Sequence, residues 1–159
     1  MSTSAGTGED PQAILERARQ RGRENGQPFA GEVTPAEAWT LLQRLPEAEL
    51  VDVRTSAERK FVGYPTTGEH VAWKEYPGME ENANFLAELR GQVGDPGERV
   101  LVFMCRSGGR SGKGAEAATG AGYTNCYNLL QGFEGDKDGQ GHRGTVGGWK
   151  VAGLPWEQE

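Results

Sequence analysis

Two cysteines and two histidines in 159 residues leave little material for a metal centre. Neither His70 nor His142 stands at ligand spacing from Cys105 or Cys126, so no metal site is expected. No apolar run approaches the length of a membrane span. The opening MSTSAGTGED has no basic region and no apolar core, so no signal peptide is read there, and a cytoplasmic location is expected by default. Basic residues are outnumbered, with 17 Lys and Arg against 23 Asp and Glu, a formal net charge of −6. That balance argues against general nucleic-acid binding and requires any anion site to be local. No Gly-Lys-Ser/Thr run exists, which excludes a Walker-type phosphate loop. The hydrophobic share is a modest 35%, yet the chain is long enough for one domain with a buried core.

One stretch organises the rest, Val100 to Lys113, VLVFMCRSGGRSGK. Its first five residues are apolar, β-branched or aromatic in part, and bounded by turn signals, which reads as a buried strand. The strand gives way at Cys105 to Arg106, Ser107, Gly108, Gly109, Arg110 and Ser111, and alanine-rich sequence from Ala115 to Ala121 reads as a helix. Glycines let successive backbone N–H groups turn inward as an anion-binding nest, and a helix start adds unpaired N–H groups. Two arginines add permanent positive charge. Such surroundings favour the thiolate, the reactive form of cysteine. Cys105 is therefore the candidate nucleophile, with Arg106 to Ser111 as the candidate binding loop.

Around this loop the chain alternates strands and helices. Residues 1–12 are small and polar and read as a disordered tail. Residues 13–28 read as a helical extension that carries Arg17, Arg19, Arg21 and Arg23, either a solvated face or a dock for an acidic partner. Residues 29–159 form the main domain. Glu32-Val33 is a first strand, Thr34-Pro35-Ala36-Glu37 a capping box, and Ala38, Leu41, Leu42 and Leu45 one helix face. Leu50 to Val53 is a second strand, and Asp52 within it is read as a structural carboxylate paired with Arg54 or with backbone. Thr55-Ser56-Ala57-Glu58 is a second capping box. His70 to Trp73 reads as a third strand, Phe85 to Val93 as a helix, and Asn125 to Leu130 as the last strand. Strands alternating with helices imply a parallel sheet covered on both faces, with ligands at the carboxyl ends of the strands. Cys105 lies at such an end.

If Cys105 ends one strand and Cys126 starts its neighbour, they are separated by more than about 10 Å, beyond the roughly 7 Å reach of a disulfide. Cys126 is read as a small core residue. Residues 134 to 147, EGDKDGQGHRGTVG, form a long glycine-rich loop leaving the same edge of the sheet. Long loops in compact domains are usually functional or mobile. The loop is either a mobile surface segment or a cover, with His142 and Arg143 as its anion contacts and Asp136 and Asp138 turned to solvent.

Three segments resemble a known family in the same order. Cys105-Arg106-Ser107-Gly108-Gly109-Arg110-Ser111 is similar to the active-site loop of rhodanese-type sulfurtransferases. Leu50-Val51-Asp52-Val53-Arg54 with Glu58 and Gly63 resembles that family's first core strand and following helix, and Gly148-Trp149-Lys150 with Ala152-Gly153-Leu154-Pro155 resembles its closing segment. Where the family usually has Gly-His and then Pro-Gly-Ala, this chain has Gly63-Tyr64-Pro65-Thr66-Thr67-Gly68. The likeness spans Glu32 to Trp156. It implies a three-layer α/β fold with five mainly parallel strands and the Cys105 strand central. It also implies sulfur transfer from thiosulfate or a similar donor to a thiol or cyanide through a Cys105 persulfide, without cofactor, metal, nucleic acid or membrane, and with a protein as one possible sulfur acceptor. Arg110 stands five positions after Cys105, as in rhodaneses; related phosphatases and arsenate reductases carry the arginine at plus six. The competing readings are a non-catalytic persulfide carrier or sensor docked to a partner, and a phosphatase or arsenate reductase.

Overall fold

A computed structural model describes residues 6–159. In chain order its elements are α1 (Pro11–Glu24), β1 (Gly31–Val33), α2 (Pro35–Arg44), β2 (Ala48–Asp52), α3 (Ser56–Phe61), β3 (Tyr64–Pro65), β4 (Glu69–His70), β5 (Lys74–Glu75), β6 (Glu80–Glu81), α4 (Phe85–Val93), β7 (Val100–Met104), α5 (Gly109–Gly120), β8 (Cys126–Leu129) and β9 (Trp156–Glu157).

The main sheet has five strands in the order β1-β8-β7-β2-β4, and each neighbouring pair is parallel. β7 is central, as the resemblance implies. Its five residues are all buried, and the period of two divides them between the faces. Val100, Val102 and Met104 pack with Ile14, Leu15 and Ala18 of α1, Ala38 and Leu41 of α2, and Phe133, Trp149 and Leu154. Leu101, Phe103 and Cys105 pack with Phe85, Leu89 and Val93 of α4 and Ala115 and Ala118 of α5. The result is a sheet between two helical layers.

Local signals place α2 and α3. Thr34 and Thr55 each accept the N3 backbone N–H while Glu37 and Glu58 return a carboxylate to the cap, so both capping boxes form. α1 begins at Pro11 and runs to Glu24, so its bounds differ from the 13–28 extension, and its apolar face lies in the core. Residues 1–5 of the expected tail lie outside the described residues, whereas Thr7 donates its N–H to Thr40 Oγ1 at 2.9 Å. The arginines of α1 are largely engaged. Arg17 binds Glu9 and Glu37, Arg21 binds Glu37 and the Glu32 carbonyl, and Arg19 reaches Tyr127. Burial opposes a charge on Glu37, but the hydrogen bonds from Arg21, Thr34 and Arg17 outweigh it and hold its carboxyl down at about 2. These side chains fasten α1 to α2 and β1, while Arg23 is exposed.

The third strand is shorter than expected, only Glu69–His70, although Val71 and Trp73 still donate to Asp52 and Val53 carbonyls. Two small antiparallel pairs had no local signal: β5 with β6, and β3 with β9. The second ties the closing segment back to the end of α3. Among the described residues, no helix is long and apolar enough to cross a membrane.

Candidate active site

Cys105 follows the last residue of β7 and is buried, 1% exposed. Two donors reach its sulfur. Gly108 N–H lies 3.1 Å from Sγ and Ser111 Oγ lies 3.2 Å from it. The backbone explains the first. Gly108 has φ +128°, a conformation that favours glycine, and it turns the chain so that its N–H points back at the thiol. α5 begins at the next residue with no side-chain cap, so its first N–H groups and positive dipole end face the loop. The helix begins before the alanine-rich stretch, so Gly112 and Gly114 lie within it.

The segment after β8 supports the floor of the loop. Phe133 N–H donates to the Cys105 carbonyl at 2.8 Å, and Glu134 and Gly135 N–H donate to the Arg106 carbonyl at 3.0 and 3.2 Å. Gly132 allows this approach. It has φ +62°, and a Cβ there would stand 2.5 Å from the Cys105 oxygen.

Arg106 is exposed and, among the described residues, joins no ion pair. The Arg110 guanidinium is clamped by Glu58, Nη1 to Oε1 and Nη2 to Oε2, both at 2.7 Å. The Glu58 bonds hold Arg110 charged, and Cys105 lies close enough to add to that. Burial opposes a charge on Glu58. The hydrogen bonds from Arg110 and the Thr55 N–H overcome it and hold the Glu58 carboxyl down at about 2. The first helical turn after β2 is thereby locked to the first turn after the Cys105 loop.

Asp52 and Arg54 are paired within the buried sheet edge. Arg54 is fully buried and donates Nε to Asp52 Oδ1 at 3.0 Å and Nη2 to Oδ2 at 2.8 Å, while Arg59 reaches Oδ2 at 2.7 Å. Burial again opposes the charge on Asp52, and Arg54 outweighs it, keeping the carboxyl below its usual range. The Arg54 guanidinium lies 4.2 Å from the centre of the Phe133 ring. The pair therefore supports, from beneath, the residue whose N–H holds the Cys105 carbonyl.

The 134–147 loop closes on itself. Asp138 accepts N–H bonds from Gln140 and His142 and the Thr145 hydroxyl at the exposed surface of the loop, and it does not face the thiol. Arg143 donates to the Gly135 carbonyl at 2.7 Å, and His142 is exposed. Neither bonds to the Cys105 loop among the described residues; what reaches the loop is the root, Phe133 to Gly135.

Asn128 of β8 has no place in the sequence reading. Its Nδ2 donates to the Gly108 carbonyl at 3.1 Å, and its Oδ1 meets Ser111 Oγ. A polar residue inside a buried strand is the signal that marks it. A cavity of about 290 Å³ beside the loop is bounded by Phe29, Gly108, Gly109, Lys113 and Asn128. Cys126 pairs in register with Leu101, four positions before Cys105, or about 13 Å along the strand. Both cysteines are free. Burial pushes the Cys126 thiol up to about 11. Among the described residues, no three His, Cys, Asp or Glu side chains cluster as a metal site.

The arrangement is a buried thiol under inward N–H and O–H donors, at the carboxyl end of a central parallel strand. Residues 34–138 match the Rhodanese-like domain family. The chain belongs to that family. A crystal structure of Rv0390 from M. tuberculosis superposes on this rhodanese-like chain with a TM-score of 0.75 at 47% identity, covering 82% of this chain and 99% of the other. An uncharacterized Rickettsia conorii protein is 35% identical over 79% of this chain and 95% of its own length. The thiosulfate sulfurtransferase GlpE of Actinobacillus succinogenes is 28% identical over 79% of this chain and 89% of its own.

Proposed function

We propose that this protein is a sulfurtransferase that moves sulfane sulfur from thiosulfate, or a similar donor, to a thiol or cyanide through a persulfide on Cys105. The observation that carries the reading is the Gly108 N–H aimed at Sγ at 3.1 Å, with Ser111 Oγ 3.2 Å from the same sulfur, in a loop whose arginine stands five positions after the cysteine. The Cys105 thiolate attacks the outer sulfur of thiosulfate. The S–S bond breaks, its electron pair leaves with sulfite, and the new terminal sulfur sits among the loop N–H groups. An acceptor thiol or cyanide then attacks that sulfur and restores the thiolate. The sequence of two covalent steps gives ping-pong kinetics. Exposed Arg106 is free to meet an anionic donor, while Arg110, clamped by Glu58, holds the loop closed. Similarity to a relative named as a thiosulfate sulfurtransferase supports the choice of donor.

Thiosulfate:cyanide transfer measured beside aryl-phosphate hydrolysis tests the reading. Thiocyanate formation without phosphate release is expected. Phosphate release without thiocyanate would replace the reading by a phosphatase, and a loaded Cys105 that never turns over would replace it by a carrier.

A further inference from the structure

Ser111 has one hydroxyl proton and three acceptors. Its Oγ lies 2.5 Å from Asn128 Oδ1, 3.1 Å from the Gly108 carbonyl and 3.2 Å from Cys105 Sγ. Asn128 cannot turn its amide to relieve this. Its nitrogen is committed to the Gly108 carbonyl, which only accepts, so the amide oxygen must face Ser111. That oxygen is buried and has no other donor among the described residues.

With Cys105 as a thiol the protons suffice: S–H donates to Ser111 Oγ, and Ser111 O–H donates to Asn128. With Cys105 as a bare thiolate they are one short. If Ser111 turns to the sulfur, two oxygens are left lone pair to lone pair at 2.5 Å, and a buried acceptor loses its donor. If Ser111 stays on Asn128, the thiolate keeps only the Gly108 N–H of the two donors. The shorter contact favours Asn128. In a persulfide the charge sits on the terminal sulfur, and Sγ no longer needs the proton.

We propose that Asn128 is a positioning residue that holds the Ser111 proton away from the bare thiolate, raising the empty nucleophile relative to the sulfur-loaded cysteine. The proposal rests on the persulfide reading above. Loading forms the bond from Sγ to sulfur and breaks the S–S bond of thiosulfate, whose electron pair leaves with sulfite; no proton is exchanged. A thiolate with fewer hydrogen bonds is also the stronger nucleophile. The charged groups around Cys105 are Arg110 of α5, locked to Glu58 of α3, and exposed Arg106, with Tyr76 between β5 and β6 in charge reach of Arg110 and Lys113 and Glu116 of α5 on the cavity that Gly108 and Asn128 line. Among the described residues, none of them bonds to Ser111 or Asn128.

Thiolate absorbance titrated in wild type, Asn128→Leu, Ser111→Ala and the double variant, with Cys105→Ser as blank, tests the proposal. Asn128→Leu frees the Ser111 proton and should lower the midpoint by about one pH unit; in the Ser111→Ala background the same change should move nothing. An unchanged or higher midpoint in Asn128→Leu, or an equal shift with and without Ser111, overturns it. Asn128→Ser serves if the leucine variant does not fold, with the same outcomes. In mixtures of thiosulfate and sulfite, Asn128→Leu should need about tenfold more thiosulfate for half loading; wild-type loading at the same ratio would also overturn it. A wild type that never takes up sulfur, while its titrations behave as stated, would refute the persulfide reading and leave the hold of Asn128 on Ser111 supported.

Discussion

Replacing Glu58 by glutamine should destabilise the protein by an amount that depends on pH. In the native structure Glu58 takes two 2.7 Å bonds from Arg110, and the side chains are only 12% and 17% exposed. Folding brings the carboxyl from 4.5 to about 2. At about 1.36 kcal/mol per pH unit, and discounted for residual solvent screening, the Glu58 charge held by Arg110 and by the Thr55 cap contributes about 2–3 kcal/mol at neutral pH. Folding lowers the affinity of this carboxyl for protons, so its contribution is full above 4.5 and is lost as pH falls towards about 2. Urea unfolding of wild type and Glu58→Gln at pH 7 and pH 3 measures this. The difference should be about 2–3 kcal/mol at pH 7 and less than half of that at pH 3. Equal differences at both pH values would refute the ionic origin, and a negligible difference at pH 7 would show that Arg110 finds another partner without cost.

Three further outcomes follow from the same site. Gly132→Ala places a methyl 2.5 Å from the Cys105 oxygen at φ +62°, so it should cost at least about 2 kcal/mol in unfolding measurements and lower kcat for sulfur transfer. Asp52→Asn leaves the buried Arg54 charge without its counter-ion and should cost about 3–5 kcal/mol, read as a fall in Tm. Cys126, with its thiol raised to about 11, should resist iodoacetamide at pH 8 until the protein is unfolded in urea; modification in the native state would show that it is not buried as described.

Much of this was legible in the sequence because the signals are local. The apolar run of β7, the turn at Cys105 and both Thr-x-x-Glu capping boxes each lie within a few residues, and each forms as read. Asp52 and Arg54 are two positions apart, so their pairing was also within reach. What was hidden depends on distant partners. Glu58 shows its capping role locally but meets Arg110 across 52 residues. Asn128 reads as one more strand residue until the sheet brings β8 beside β7. The pairing of Tyr64 and Pro65 with Glu157 and Trp156 joins two stretches with no periodicity of their own. α1 reads as an appendage because its arginines dominate its composition, yet Ile14, Leu15 and Ala18 share a stripe that only the packed sheet explains. The 134–147 loop was identified by its length, but its polar residues serve one another rather than the thiol.

The most direct measurement is the mass of the protein after thiosulfate treatment, followed by peptide mapping. One added sulfur atom on the peptide that carries Cys105, absent in Cys105→Ser and retained in Cys126→Ser, is expected. Sulfur on Cys126, or an unmodified Cys105 under conditions that support thiocyanate formation, would contradict Cys105 as the nucleophile.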